Sequence, residues 1–267
     1  MKQIIVDCHS HTNNSPDSKA SIESMCEAAV SKGLAAYTVS DHCEMNEFYG
    51  VYEITSQKSS EAITKAQKLF PELNLLKGIE LGQPMQNTEA SDYILDTRDF
   101  DFVLASIHNP PNEKDYAFLK YDEENVKVIM KNYFEEMYEM VKWGRFDSLA
   151  HITYPIRYMT GEQKVNVPID KFKDIICAIF EEIIKKDIAL EMNTAGYRVP
   201  IGEPSPNKEL LSLYKDCGGK LVTLGADAHS PEHVAFGIEK GIALLKDAGF
   251  DSFVYYKGRK PVEIPIV

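Results

Sequence analysis

Hydrophobic positions along this chain alternate between two rhythms. Short, nearly continuous apolar runs are separated by longer stretches whose apolar residues recur at helical spacing. The runs Gln3–Asp7, Ala35–Ser40, Asn74–Glu80, Asp101–Ile107, Phe146–Ala150, Ile188–Asn193 and Leu221–Gly225 predict seven strands. Between them, helices are predicted from Ser21 to Gly33, from Thr55 to about Phe70, over Asn125–Val141, over Ile169–Lys186, over Asn207–Cys217 and from His233 to about Asp247. Ser21 is a plausible N-cap, Gly33 a stop, and Pro71 ends the second helix. Met130, Tyr133, Phe134, Met137 and Val141 make one apolar stripe, expected to face a core. Ser252–Tyr256 reads as a last edge strand.

Strands alternating with helices imply parallel strands joined by right-handed crossovers. No repeat, low-complexity tract or linker divides the sequence. The expectation is a single α/β domain over residues 1–267, a distorted (β/α)7 barrel.

The chemistry gathers at one topological position. His9 lies at the end of the first predicted strand, and His11, His42, His108, His151 and His229 lie just past strand ends. Glu80 ends the third strand and Asp227 follows the seventh. In a barrel all these ends converge on one face, so a ring of imidazoles and carboxylates would line one bowl. Neutral imidazole with carboxylate suits zinc, iron or manganese. Cys8, next to His9, points to the opposite face of its strand and is expected in the core. His233 is expected at a solvated helix start, and Asp17 lies in a polar loop after His11.

Composition narrows the partners. There are 29 Lys+Arg against 41 Asp+Glu, a formal net charge of −12, which disfavours nucleic-acid binding through the general surface. Five cysteines without a C-x-x-C pair argue for reduced thiols. No apolar run approaches the roughly 18 residues of a membrane span. The chain opens into a strand without a signal-like apolar region, so a cytoplasmic location is expected.

Asp7-x-His9-x-His11-Thr12, Ser40-Asp41-His42, Gly78-Ile79-Glu80, Ser106-Ile107-His108, His151 and Gly225-Ala226-Asp227-Ala228-His229 resemble, in order, the motifs of the polymerase-and-histidinol-phosphatase superfamily. Within it, the length and stand-alone barrel are similar to the metal-dependent histidinol-phosphate phosphatases. The resemblance implies two or three divalent ions. One would be held by His9, His11, Glu80 and Asp227, and a second by Glu80, His108 and His151. A third would be held by Asp17, His42 and His229. It also implies hydrolysis of a phosphate monoester, with hydroxide shared between two ions attacking phosphorus. Such ions would keep the site positive by about two formal charges, enough to attract a phosphate dianion to an acidic protein.

Arg157 and Arg198, in loops on the same face, are the expected phosphate clamp. Asp17, His42, Asp227 and His229 are the candidate catalytic groups, with the general acid open among Asp17, His42 and His229. Glu191 and Asn193 are expected either to contact a substrate amine or to support the ligands; Glu44 or Glu47 could serve the amine as well. The expected partner is a small phosphate ester, L-histidinol phosphate. The alternatives are a phosphotyrosine or nucleotide ester, or a metal-stabilised module without turnover.

Overall fold

The computed structural model describes residues 2–267. Its sheet runs Val6–Asp7 (β1), Ala36–Val39 (β2), Leu75–Gly82 (β4), Phe102–Ser106 (β5), Ser148–Leu149 (β6), Ala189–Asn193 (β7) and Val222–Gly225 (β8), each parallel to the next. A short strand, His42–Glu44 (β3), also pairs with β4. These strands are buried on both faces, as parallel strands covered by helices must be. The expected (β/α) barrel is thus observed, with β1 and β8 as its seam.

The seam closes at its C-terminal end. The Cys8 N–H donates to Leu224 O (2.9 Å), Asp227 N–H to His9 O (2.8 Å) and His11 N–H to Ala228 O (2.8 Å). The first and last strands therefore meet through the residues that carry His9, His11 and Asp227.

The predicted strand at Ala35–Ser40 continues further than its apolar run. β2 pairs with the first half of β4 and β3 with the second half, and the register between them is unbroken. At Ser40–Asp41 the chain turns its hydrogen bonds toward the first strand: the Ser40 N–H donates to Ser10 O (2.8 Å). This interruption lets His42 and Glu44 resume on the same sheet.

Among the described residues, seven helices of two turns or more pack outside: Ile22–Ser31 (α1), Glu53–Leu69 (α2), Thr88–Thr97 (α3), Asn125–Trp143 (α4), Lys173–Lys185 (α5), Lys208–Asp216 (α6) and Ile238–Asp247 (α7). Ser21 and Asn207 cap α1 and α6 through their side chains. Met130, Tyr133, Phe134, Met137 and Val141 of α4 are all buried, as expected. The sequence reading passed over α3, whose apolar face is short; its start is set by Asn87, which accepts from the Ala90 N–H. The last helix begins at Ile238 and not at His233, because Gly237 in the left-handed region separates it from a preceding turn, Pro231–His233.

The expected edge strand is one arm of a hairpin. Ser252–Lys257 (β9) pairs antiparallel with Lys260–Pro265 (β10). Gly258 and Arg259 both have positive φ, the two-residue turn that matches strand twist. Pro261 and Pro265 hid β10 in the sequence, but proline is tolerated on an edge.

Candidate metal centre

Strand ends aim the ring. His9 and His11 alternate with Cys8 and Ser10 on the extended segment after β1, so both imidazoles face inward and Cys8 is buried on the other side. His42 opens β3, Glu80 lies near the end of β4, and His108 and His151 follow β5 and β6. Asp227 and His229 follow β8 with the same one-residue spacing as His9 and His11. Asp17 reaches in from the loop after His11, and its side chain is 53% exposed.

Glu80, fully buried, sits at the centre. Its Oε2 is 3.3 Å from His9 Nε2 and 3.6 Å from His11 Nε2; its Oε1 is 3.1 Å from His108 Nε2 and 2.9 Å from His151 Nε2. Asp227 Oδ1 lies 3.4 Å from His11 Nε2 and 3.8 Å from His9 Nε2. Asp17 Oδ2 lies 2.9 Å from His229 Nε2 and 3.5 Å from His42 Nε2. All nine sequence-predicted ligand residues are therefore brought into one ring, with Glu80 presenting one oxygen to each of two groups.

These spacings fit ligand atoms around shared ions. With metal–nitrogen distances of about 2.0–2.1 Å, neighbouring ligand atoms in a tetrahedron are about 3.3–3.4 Å apart. His9 Nε2, His11 Nε2, Glu80 Oε2 and His229 Nε2 are buried without a formed hydrogen bond. Leaving such groups unmatched costs about 1–3 kcal/mol each, and a divalent cation matches them all at once. Among the described residues, the groupings His9–His11–Glu80, Glu80–His108–His151 and His11–His42–His229 each converge closely enough to hold one ion.

Electrostatics agree. Burial opposes charge on Glu80, but His9, His108 and His42 outweigh it and hold the carboxyl well below its usual range. Asp227 is held down in the same way by His9 and His11. Burial disfavours a charged His108, yet Glu44 and Glu80 lift it to about 10. His11 goes the other way, to about 3, through burial and the facing His229 and His42. The carboxylates are anionic and draw positive charge into the bowl.

A model of the PHP domain matches residues 7–195, well over half of the chain. The chain belongs to the PHP domain family. The matched span carries every ring residue except Asp227 and His229. The chain is 27% identical to a probable histidinol-phosphatase of Thermotoga maritima, over 98% of this chain and all of that one. It is 26% identical to the histidinol-phosphatase of Lactococcus lactis, over 96% of this chain and 95% of that one. A crystal structure of the Lactococcus lactis histidinol phosphate phosphatase, complexed with zinc, L-histidinol and phosphate, aligns with a TM-score of 0.83 at 25% identity, covering 98% of this chain and all of that one.

Around this PHP ring lies a layer of supporting groups. The Asp7 carboxylate accepts from the backbone N–H of Ala226 (2.9 Å) and Ala235 (2.7 Å), pinning the segment that carries Asp227. Burial pushes its pKa up to about 6 despite those bonds. Asp41 accepts from the Thr12 N–H and hydroxyl, Ser15 and Ser59 at 2.6–2.8 Å, fixing the loop between His11 and Asp17. The motif aspartates thus hold the ligand loops in place. His151 and Asp227 both have positive φ, backbone strain placed at the site itself.

Glu191 and Asn193 do not reach substrate space, contrary to the first of their two expected roles. Both are buried behind the ring. Glu191 Oε1 accepts from His9 Nδ1 at 2.6 Å, and the Asn193 amide donates to Glu191 (3.2 Å) and Asp227 (3.4 Å). A proton on His9 Nδ1 leaves Nε2 free to face Glu80 and Asp227.

The ring forms the floor of a cavity of about 520 Å³. Arg157 lines it, with Nη2 3.7 Å from Asp227 Oδ2 and the guanidinium over the Tyr154 ring. Arg198 lies behind the Asp227 backbone and donates to Ala226 O (2.6 Å) and Asp227 O (2.5 Å), so two of its donors are already committed. Sequence reasoning missed Tyr154, Tyr158 and Asp115 on the cavity wall. The Tyr154 hydroxyl donates to Asp115 (3.1 Å) and Tyr158 to Tyr154 (3.0 Å). None of the three lies at a predicted strand end. Among the described residues, no helix is long and apolar enough to cross a membrane.

Proposed function

We propose that this PHP protein hydrolyses L-histidinol phosphate to L-histidinol and inorganic phosphate. One observation carries the reading: a ring of paired imidazoles and carboxylates floors a cavity lined by Arg157, in a chain similar over its whole length to histidinol-phosphatases. His9, His11, Glu80 and Asp227 would hold one divalent ion. Glu80, His108 and His151 would hold a second, and Asp17, His42 and His229 would hold a third. Zinc, iron and manganese all suit these donors. Bound there, such ions supply a nucleophile from water at neutral pH and neutralise phosphate charge.

The chain's own residues do the rest. Arg157 grips the non-bridging phosphate oxygens with a planar fork. Glu47, Glu113 and Asp115 on the cavity wall give the leaving group an anionic surround, suited to a cationic amine. The Asp17–His229 pair is the most exposed part of the ring and supplies the proton to the leaving alkoxide when it is not engaged as ligands. Its freedom therefore depends on whether two or three ions are held. Arg198 and Asp7 keep the Asp227 backbone in its strained conformation throughout.

The test is phosphate release from L-histidinol phosphate, phosphotyrosine and nucleoside monophosphates by metal-loaded protein. L-histidinol phosphate should exceed the others in kcat/KM by about 100-fold or more, the scale of a recognised charged contact. Equal or better turnover of phosphotyrosine would overturn the substrate. Release from none would favour the metal-stabilised module.

A further inference from the structure

Two carboxylates beyond the predicted ligand set lie against the ring, Glu191 behind it and Glu44 at the cavity edge, and both are built in the same way. Glu191 lies over Gly225, where an added Cβ would come within 2.4 Å of its Oε1. Glu44 lies over Gly82, where an added Cβ would come within 2.0 Å of its Oε2. Each strand-end glycine leaves the room its carboxylate needs. Glu191 receives the Nδ1 proton of His9. Glu44 Oε1 receives that of His108 at 3.0 Å and lies 3.1 Å from His42 Nδ1. His42 Nδ1 is also 2.9 Å from Glu80 Oε2, without an aligned bond to either oxygen.

Glu44 is itself held. The Gln83 amide donates to its Oε2 at 2.6 Å, while Gln83 Oε1 accepts the His108 backbone N–H at 2.7 Å. The same nitrogen lies 2.7 Å from Asn109 Oδ1 and 3.0 Å from Asn46 Oδ1, which share its second hydrogen. Gln83 stands at φ 47, a left-handed conformation that a non-glycine residue adopts at a cost. The strained Gln83 backbone thus locks one carboxylate against one imidazole. Glu44 also lines the cavity, with its side chain 12% exposed and both oxygens engaged by Gln83 and the two imidazoles.

We infer that Glu44 is a positioning residue that fixes His108 with Nδ1 protonated and Nε2 turned to the ring, while the same Oε1 lies against His42 Nδ1, so that one carboxylate touches ligands of two different ion sites. Glu191 does this for the His9 site alone. Resting on the metal-dependent reading above, the inference divides the outer layer into two halves with separate consequences. A carboxylate partner orients a ligating imidazole and strengthens it as a donor, an effect of about 10–100-fold in metal affinity.

The experiment compares zinc retention against a chelator in the wild type, Glu44→Ala, Gly82→Ala and Glu191→Gln, with 15N NMR of the histidine rings in the zinc-loaded proteins. Gly82→Ala keeps the Glu44 charge but displaces its carboxylate, which protects the test if Glu44→Ala folds poorly. In Glu44→Ala and Gly82→Ala the zinc bound through His108 should weaken by about 10–100-fold, with a smaller loss through His42. The His108 Nδ1–H signal should shift, and the ion bound through His9 should be retained as in the wild type. Glu191→Gln should show the reverse pattern. Wild-type retention and unchanged His108 signals in both Glu44→Ala and Gly82→Ala would overturn the positioning role. Loss of the His9-bound ion in those variants would overturn the division into halves. A wild-type protein that retains no zinc would instead overturn the metal-dependent reading on which both rest.

Discussion

At the N-terminal end of the barrel, the half-buried Asp101 and the buried Asp147 have ordinary partners. Asp101 accepts from the backbone N–H of Lys77 and Gly258, both at 2.9 Å. Asp147 accepts from the Val103 N–H at 2.7 Å and pairs with Arg259 at 2.5 Å. The β9–β10 hairpin brings Gly258 and Arg259 to these acids and packs Tyr256 against Phe102. At the C-terminal end, Glu80 and Asp227 face imidazole nitrogens at 2.9–3.8 Å, and several of the facing atoms lack a formed hydrogen bond. The same residue type serves closure at one end and chemistry at the other. The difference lies in whether the protein supplies the counter-charge. Below, a guanidinium and backbone N–H groups suffice; above, imidazoles leave room that divalent cations fit.

Perturbing the two ends should therefore give separable results. Glu80→Gln or Asp227→Asn should remove at least one ion and lower kcat by about 1000-fold or more, since metal assistance contributes several kcal/mol; metal analysis with phosphate-release kinetics checks both. Arg157→Ala should reduce kcat/KM by about 10–100-fold while metal content stays intact, because charge-assisted bonds to phosphate are lost and no ligand is. Asp147→Ala should lower unfolding free energy by about 1–3 kcal/mol in denaturant titrations, by orphaning the Val103 N–H, without changing metal content. His233→Ala should alter neither stability nor turnover measurably, since its half-buried ring meets Ser230 and Phe236 away from the ring of ligands. An Asp147→Ala protein that lost its metals, or an Asp227→Asn protein that kept them, would break the comparison.

The ring was legible because its members, Asp17 apart, lie at or just past the end of a short apolar run. A barrel sends every such position to one face, so local pattern and topology together locate His9, His42, Glu80, His108 and Asp227. The supporting layer was harder to read, because its partners are set by long-range register. Glu44 faces His108 only because the chain resumes as β3 after Ser40–Asp41. Glu191 sits on the strand before a predicted active-site loop, yet its side chain points behind His9 and not into the cavity. Arg198 has the loop position of a clamp, but its nearest acceptors are the carbonyls of Ala226 and Asp227. Asp7 and Asp41 lie within the motifs, where sequence alone does not separate a ligand from an anchor. At the other end, the hairpin escaped notice because prolines and charges obscure β10.

The central claim is that the unmatched ring atoms are the seats of catalytic divalent ions. The most direct measurement strips the protein with a chelator and restores zinc in known equivalents while following phosphate release from L-histidinol phosphate. Activity should be absent in the stripped protein and return as two to three equivalents bind. Undiminished phosphate release from protein shown by metal analysis to be ion-free would contradict the account.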